Sequence, residues 1–324
     1  MLILEGGLFV STSDGHSINV HRHFVPCPTR PLALTIGNFD GVHVGHQAML
    51  SKLKLYAAEN GLQTAVMLFH PHPRFFFQPQ LFRELWTLRD KIICLARMGI
   101  DHVYIVRFND KFSKYSARLF IEEVLILALR IKYLLVGEDF LFGANRSGKV
   151  SLLREYGIRG YFYFETMQDF FYKDERISST LLRQMISESK FDQVRSILGF
   201  SYQLFDRVRY GQRLGRKLGF PTINLRPPVN SVVRGTFIVQ VHGLGSSSLP
   251  GVCNVGRRPT LPSGDKFDWL EVHLLDFSDD VYGCRVFVEF LKHLHEERHY
   301  SSIDELVRGI SADCDAATCY FLGH

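Results

Sequence analysis

The sequence predicts an α/β protein of two domains: a doubly wound parallel sheet, followed by a small antiparallel β-barrel with a terminal helix. In the first half, strand-length apolar runs alternate with segments of helical periodicity, which is typical of a parallel sheet covered by helices. After about residue 200, short alternating strands separated by Gly and Pro replace this pattern. The predicted domains are residues 1–186 and 187–324.

The first half is predicted to consist of β-α-β units. An apolar strand over residues 32–37 leads through the turn NFDG into a helix. Leu50, Leu53 and Ala57 share one face of that helix, and Gly61 ends it. Right-handed crossovers make successive strands of such units parallel. The further predicted elements are strands at 64–69, 102–108 and 133–140 and helices near 88–98 and 116–130, while residues 1–31 offer at most one added strand.

A helical segment over residues 181–199 precedes the strands of the second half, and the boundary is expected between about 187 and 202. These strands alternate apolar and polar side chains, as the run GTFIVQVHGL does through Phe237, Val239 and Val241. The final helix begins with a capping box of Ser302 and Glu305. The predicted buried stripe of this helix consists of Ile303, Leu306, Ile310 and Ala317.

Composition narrows the class of protein. The 324 residues are 46% hydrophobic and 22% charged, which suits a globular chain with a proper core. A net charge of +5 suits anionic small molecules and is too low for a dedicated nucleic-acid binder. The cysteines form no CxxC pair, so neither a zinc ribbon nor a redox dithiol is expected. The N-terminus lacks the basic leader of a signal peptide, and no apolar run reaches the roughly 18 residues that a membrane span needs. We expect a cytoplasmic protein with small-molecule substrates and no nucleic-acid or membrane partner; the sequence does not predict its oligomeric state.

Two histidines, His43 and His46, follow the Gly-broken turn after the first strand. Anions bind at such places, because the first backbone N–H groups of a helix are unpaired and the helix dipole is positive there. Gly45 lets a phosphate approach the backbone. Two alternatives remain open: each histidine satisfies a local hydrogen bond, or both join His70 or His72 in a metal site. The spacing favours phosphate handling.

The segment GANRSGKV (143–150) imitates a phosphate-binding P-loop. Its glycine and lysine spacing fits, but Val150 stands where Ser or Thr should hold Mg²⁺. We therefore reject a P-loop ATPase.

Seven motifs occur together in the chain. TIGNFDGVHVGH, FHPHPRFFF, VGEDFLFGANRSG and RISSTLLR follow one another across residues 35–183, and GQRLGRKLGFPTINL, GVCNVGRRPT and LEVHLLDFSDDVYG follow in the second half. The first four resemble the FMN adenylyltransferase half of bacterial bifunctional riboflavin kinase/FAD synthetases. The last three resemble the riboflavin kinase half, a small antiparallel barrel in that family. The resemblance covers roughly residues 32–318.

For the first half, the resemblance implies a nucleotidyltransferase of the HxGH type. The FMN phosphate would attack the α-phosphorus of ATP and expel pyrophosphate, with His43 and His46 stabilising charge on the transferring group. The nucleotide and flavin contacts that it implies are Gly37, Asn38, Phe39, Asp40, Gly45, Arg74, Asp139, Asn145, Arg176, Ser178, Ser179, Thr180 and Arg183.

For the second half, the resemblance implies phosphorylation of riboflavin by ATP. Glu271 matches the catalytic base, and Thr222 and Asn224 would bind Mg²⁺ and the ATP phosphates. The loop over the nucleotide would consist of Gly211, Arg213, Gly215, Arg216, Lys217 and Gly219. Two positions depart from the family pattern. Ile223 replaces Ala, and an extended strand would point it away from Thr222 and Asn224; His295 replaces Arg, with Arg298 nearby to compensate.

The implied function is therefore the synthesis of FMN from riboflavin and of FAD from FMN, with ATP, riboflavin and FMN as substrates and Mg²⁺ as cofactor. Two alternatives remain. Only one of the two activities is live, or the chain is an RNA-binding protein that uses the basic segment 207–217 and binds RNA with a steep salt dependence.

Overall fold

The computed structural model describes residues 2–4, 7–11, 17–24, 30–211, 214–228, 230–257 and 268–323. The chain forms two compact units. The first unit comprises Met1–Phe82 and Leu88–Ser179, and the second comprises Arg83–Thr87 and Thr180–His324. The second unit thus includes a short segment from the first half of the chain.

The first unit is built on a single large sheet. Its strands are β1 (Leu2–Leu4), β2 (Gly7–Ser11), β3 (Ser17–His21), β4 (Leu32–Ile36), β5 (Gln63–His70), β6 (His102–Arg107), β7 (Tyr133–Gly137) and β8 (Tyr163–Met167). They form an eight-stranded sheet in the order β1-β2-β3-β6-β5-β4-β7-β8. Strands β3 to β8 are parallel, whereas β1 and β2 are antiparallel. The predicted parallel sheet is confirmed, and the N-terminal residues contribute more strands than the one expected.

Helices cover both faces of this sheet. They are α1 (Val44–Glu59), α2 (Pro73–Phe77), α3 (Leu88–Arg97), α4 (Asp110–Ser113), α5 (Ala117–Leu119), which continues as a π-helical segment (Phe120–Ala128), and α6 (Val150–Ile158). Strand β4 shows the doubly wound arrangement: Ala33 packs with Leu53 and Ala57 of α1, while Leu34 packs with Ile121 of the π-helical segment. The predicted buried face of α1 is confirmed.

The strand order fixes where a ligand can enter. β5 and β6 lie on one side of β4, and β7 lies on the other. In open α/β sheets, ligands bind in the crevice outside the carboxyl ends of the strands at which the order reverses. That crevice lies at the ends of β4 and β7. A short hairpin of β9 (Phe171–Tyr172) and β10 (Glu175–Arg176) also belongs to this unit.

The second unit contains an antiparallel sheet of six strands, in the order β11-β16-β13-β14-β15-β12. The strands are β11 (Gln203–Arg207), β12 (Thr222–Leu225), β13 (Gly235–His242), β14 (Leu249–Arg257), β15 (Asp268–Leu274) and β16 (Arg285–His295). A bridge between Arg209 and Asn224, with N and O 2.8 Å apart, joins the two outer strands. The sheet is thus curled into a half-barrel, as the predicted small antiparallel barrel implies, and its core includes Phe237, Val272 and Phe290.

The predicted helical segment over 181–199 is two helices, α7 (Ser179–Ser187) and α8 (Phe191–Leu198). The break has a local cause, because Ser189 has φ of 56° and cannot continue a right-handed helix. α8 ends at Gly199, which adopts the left-handed conformation that favours glycine, with φ of 78°. α9 (Leu214–Lys217) is a single short turn.

The terminal helix α10 (Ile303–Leu322) begins at Ser302, whose hydroxyl accepts from the Glu305 backbone N at 3.2 Å as predicted. The Glu305 carboxylate accepts from Ser301 instead of reaching back to Ser302. Of the predicted buried stripe only Ala317 is buried: Ile303 is 64% exposed, and Leu306 and Ile310 are half-buried. The helix packs on the barrel through its C-terminal half, where Ala317 contacts Ile238 and Val252, and its first turn extends beyond that contact. Among the described residues, no helix combines the length and apolar character needed to cross a membrane.

Candidate functional site

The loop between β4 and α1 places the two histidines side by side. His43 is the N-cap residue of α1, and its Nδ1 accepts a hydrogen bond from the backbone N of His46 at 3.4 Å. In the neutral ring the proton therefore sits on Nε2, which is left as a donor. The two imidazole rings stack with centroids 3.8 Å apart and planes 16° apart. The two rings therefore lie on the same side of the helix start.

Both imidazoles are held neutral. Burial lowers the pKa of His43 to about 4, and the positive charge of Arg176 adds to this effect. Burial also lowers the pKa of His46 well below its ordinary value, with further contributions from His43 and Lys91. A neutral imidazole donates one hydrogen bond through its single N–H and carries no charge of its own. The site therefore offers hydrogen bonds from its histidines and full positive charge from other side chains.

The backbone of this loop is tightly turned. Phe39, Gly41 and Val42 have φ values of 46°, 89° and 40°. Phe39 is buried, and its ring centroid lies 4.7 Å from that of His46. Within the described residues, the buried Asn38 Oδ1 and His46 Nδ1 have no hydrogen-bond partner. Such buried polar atoms are costly unless a ligand or water satisfies them, which fits a binding loop.

Asp40 forms an ion pair that the sequence did not predict. Its Oδ1 lies 3.2 Å from Lys91 Nζ of α3, and both side chains are buried. Sequence patterns do not pair residues this far apart; the only signal was a lysine on the apolar face of α3, one turn before Leu95. The positive charge of Lys91 also contributes to the lowered pKa of His46, so it acts on the histidine pair as well as on Asp40.

The RISSTLLR motif reaches the same loop. Ser179 Oγ donates to the Asp40 carbonyl oxygen at 2.8 Å. Arg176 Nη2 lies 2.7 Å from Asp139 Oδ2 and 2.7 Å from Asp169 Oδ1. Asp139 follows β7, so Arg176 and Asp139 lie at the crevice where the strand order reverses. Asp169 was missed because it is separated from any motif in sequence.

Other candidates occupy different surroundings. Arg74 and Asn145 are exposed, and Ser178 is half-buried. Gly37 packs closely under the Phe39 ring, and a Cβ at Gly45 would lie 3.3 Å from His43 Nδ1. Thr180 and Arg183 belong to the second unit, where Arg183 Nε donates to the Arg83 carbonyl oxygen at 2.6 Å.

The open alternative of a metal site draws no support from the neighbouring histidines. His72 Nδ1 accepts from the Arg74 backbone N at 3.0 Å, and its ring stacks on Phe82. Across the described residues, no group of three or more His, Cys, Asp and Glu side chains is arranged to hold a metal ion.

A second candidate site follows from strand register in the barrel. Asn224 of β12 lies opposite Glu271 of β15, and Glu271 lies opposite Asn254 of β14. Directly opposed residues point to the same face, so Glu271 is flanked by two carboxamides. Thr222 lies opposite His273 on this face, whereas Ile223 is buried opposite Val272 on the other. The prediction that Ile223 points away from Thr222 and Asn224 is confirmed.

The predicted nucleotide loop runs over Asn224. A Cβ at Gly211 would lie 2.4 Å from Asn224 Nδ2, so any larger residue there would force the loop or the Asn224 side chain to move. Arg216 and Thr222 line a cavity of ≈ 40 Å³ together with Asp280 and Tyr282. Gly215 lies against the Phe220 carbonyl, and Lys217 and Gly219 are exposed. Arg213 lies outside the described residues.

His295, which departs from the family pattern, has its own partners. Its Nε2 lies 2.9 Å from Asp313 Oδ1 of α10, and its Nδ1 lies 2.7 Å from the Glu296 carbonyl oxygen. The ring is therefore held from both of its nitrogens. This contact ties α10 to the end of β16.

Two family models match the chain, one in each half. The FAD synthetase model matches residues 27–181, and the riboflavin kinase model matches residues 198–321. The first match contains the histidine loop and Arg176, and the second contains Thr222, Asn224 and Glu271.

Relatives that match most of the chain are named for both activities. A bifunctional riboflavin kinase/FMN adenylyltransferase from Escherichia coli K12 is 42% identical over 88% of this chain and 91% of its own length. The Haemophilus influenzae protein of the same name is 39% identical over 89% of this chain and 94% of its own. A crystal structure titled a macrolide-efflux protein from Streptococcus pneumoniae superposes with a TM-score of 0.74 over 92% of this chain and 98% of its own, and at 24% identity it supports the fold alone. With both halves matched and this identity over nearly its full length, the chain belongs to the bifunctional riboflavin kinase/FMN adenylyltransferase family.

Proposed function

We propose that the first unit transfers the adenylyl group of ATP to FMN at the histidine loop, and that the second unit phosphorylates riboflavin beside Glu271. The observation that carries the first assignment is the stacked, neutral His43–His46 pair at the start of α1, beside Arg176. The alternative that only one activity is live predicts that one of these two sites is inert.

In the first unit, an oxygen of the FMN phosphate attacks the α-phosphorus of ATP. A new P–O bond forms, the bond to the β-phosphate oxygen breaks, and pyrophosphate leaves. His43 Nε2–H donates to the transferring group, and the first N–H groups of α1 add the positive end of the helix dipole. Arg176, oriented by Asp139 and Asp169, supplies positive charge to the phosphates.

In the second unit, Glu271 accepts the proton of the riboflavin hydroxyl while the hydroxyl oxygen attacks the γ-phosphorus of ATP; the new P–O bond forms, the bond to the bridging β-phosphate oxygen breaks, and ADP leaves. Asn224 and Thr222 carry oxygen atoms of the kind that Mg²⁺ prefers, and they lie on the same face as Glu271. We assign Mg²⁺ to these two side chains, where it would neutralise charge on the ATP phosphates. Gly211 brings the nucleotide loop directly onto Asn224.

The location and partners belong to the same proposal: a cytoplasmic enzyme that acts on small molecules. The RNA-binding alternative relied on the basic segment 207–217. Arg209 in that segment is paired with Asp206, with Nε and Oδ2 3.2 Å apart, which reduces its free positive charge. This contact favours the enzyme over the RNA-binding protein.

The test is to incubate the purified chain with riboflavin, ATP and Mg²⁺ and to follow the flavins by chromatography. We expect FMN and then FAD, with ADP released in the first step and pyrophosphate in the second. Unchanged riboflavin would refute the kinase assignment, and accumulation of FMN without FAD would refute the adenylyl transfer. Binding of RNA with a steep salt dependence and without turnover would support the RNA-binding alternative.

A further inference from the structure

A cavity of ≈ 570 Å³ opens in the first unit at the carboxyl ends of β3 and β6. This volume lies within the range typical of small-molecule sites. β5 separates β6 from β4, so at about 4.8 Å per strand the cavity is offset by roughly 10 Å along the sheet edge from the histidine loop. None of the residues assigned above to catalysis, nucleotide or flavin is among the described residues that line it.

The floor of the cavity is apolar and aromatic. Tyr104 is only 1% exposed, and Val106 and Val124 beside it are also buried. The His21 ring stacks on Tyr104 with centroids 4.5 Å apart and planes 16° apart. Burial, with a contribution from His102, lowers the pKa of His21 to about 4, so this ring is neutral at pH 7. A flat, uncharged floor suits a planar aromatic ring.

The rim of the cavity is basic. Arg22, Arg107 and Lys111 are exposed there, and none of them forms an ion pair with a carboxylate in the described ranges of the chain. Among the described lining residues the only carboxylate is Glu123, and it accepts a hydrogen bond from the Tyr115 hydroxyl. Three cations against one carboxylate leave the rim with a net positive charge above an aromatic floor.

We propose that this cavity is a second ligand site, separate from the histidine loop, which binds a planar aromatic ring carrying a phosphate. The ring would rest on the floor, and the phosphate would bind the cations of the rim. Arginine and lysine form charge-assisted hydrogen bonds with phosphate, the stronger class of hydrogen bond. Flavin nucleotides and adenine nucleotides share this chemistry.

The test counts ligands bound by the full chain in equilibrium dialysis without Mg²⁺. FMN and ADP are compared with riboflavin, which has the ring without phosphate, and with inorganic phosphate, which has no ring. The charge-reversed variant is Arg107→Glu/Lys111→Glu. The matched control is Arg154→Glu/Arg195→Glu, which changes the same charge at exposed positions outside the cavity. Both activities and the thermal midpoint are measured on every preparation.

We expect the Arg107→Glu/Lys111→Glu chain to bind one of the two nucleotides, FMN or ADP, roughly 10- to 100-fold more weakly at one of its sites. This is the loss expected when charge-assisted hydrogen bonds are removed. The two rates should stay within about twofold of wild type, and the control should bind normally. The nucleotide whose binding falls identifies the ligand.

Unchanged binding of both nucleotides would overturn the proposal and show that these cations are only solvated. Loss of adenylyl transfer together with binding would overturn the separate site and place the cavity in the catalytic centre. If the double variant unfolds, Arg22→Glu and Lys111→Glu are measured singly against Arg154→Glu under the same criteria.

Discussion

At the residue scale, His43 has two roles that depend on the same ring. Its Nδ1 caps α1, and this fixes the proton on Nε2, where we propose that it meets the transferring phosphoryl group. The low pKa of the buried ring keeps this donor neutral. Helix capping, tautomer and chemistry are thus linked through one side chain.

The low pKa of His43 predicts how stability changes with pH. The ring is neutral in the folded chain down to about pH 4, whereas in the unfolded chain it gains a proton near pH 6.5. The unfolded state therefore binds more protons below pH 6.5, and the free energy of unfolding falls as the pH falls towards 4. At pH 5.5 the loss from this residue is about 1 kcal/mol.

Calorimetry at pH 7.5 and pH 5.5 tests this, with His43→Asn as the comparison. Asparagine is a good N-cap residue and does not titrate in this range. We expect the fall in thermal midpoint of the first unit to be smaller in the variant than in wild type. An equal fall in both chains would show that His43 is protonated alike in the folded and unfolded states.

At the element scale, the contact of the nucleotide loop with β12 predicts that Gly211→Ala suppresses riboflavin phosphorylation. The added Cβ would lie 2.4 Å from Asn224 Nδ2, so either the loop or the carboxamide must move. We expect a loss of about 10²-fold, the scale seen when catalytic groups are misplaced by about 1 Å. Steady-state kinetics should show FMN adenylation unchanged.

Gly245→Ala is the matched control for this change. Gly245 lies in the same unit, and a Cβ there meets nothing within 4 Å. Normal phosphorylation by the Gly211→Ala variant would mean that the loop does not depend on this close approach.

The pair between β16 and α10 predicts a stability effect. His295→Ala leaves Asp313 without its partner, and both side chains are 13% exposed. We expect the free energy of unfolding of the second unit to fall by about 1–3 kcal/mol, the cost of leaving a buried polar group unsatisfied. Urea unfolding followed by the fluorescence of Trp86 and Trp269, both in the second unit, measures it, with the exposed His299→Ala as the control. Equal stability of the two variants would contradict a structural role for the pair.

Sequence patterns predicted the structure best where the packing depends on the geometry of one element or of adjacent elements. The periodicity of Leu50, Leu53 and Ala57 predicted the buried face of α1, because helix geometry alone puts them together. The same reasoning failed for Ile303, since it does not show where the helix leaves its packing partner. In the candidate site, the ion pair of Asp40 with Lys91 depends on how α3 packs in the first unit. No local pattern encodes such a contact.

At the scale of the whole molecule, the two units predict separable activities. A fragment over residues 187–324 contains every described residue that we assign to riboflavin phosphorylation, so we expect it to make FMN and no FAD. Its thermal midpoint should be lower than that of the second unit in the full chain. It lacks residues 180–186, which carry the buried side chains of α7. It also lacks Leu85, whose carbonyl accepts from the Tyr202 hydroxyl at 2.6 Å, and Trp86, whose Nε1 donates to the Gln203 carbonyl at 3.1 Å.

Circular dichroism and a riboflavin kinase assay on the fragment check this prediction. A second fragment that fuses residues 83–87 to the same chain is the control for the lost contacts. A folded but inactive fragment would show that riboflavin phosphorylation needs residues outside 187–324.

The central claim is that one chain carries two independent sites, and a mixing experiment tests it most directly. Glu271→Gln should lower FMN formation by about 10²–10⁴ and leave adenylation of added FMN intact. His43→Ala should lower adenylation by about 10²–10³ and leave phosphorylation intact. We predict that neither variant alone makes appreciable FAD from riboflavin, whereas an equimolar mixture does, because FMN released by one chain serves the other. A mixture that yields no FAD, although each variant retains its expected single activity, would contradict the account.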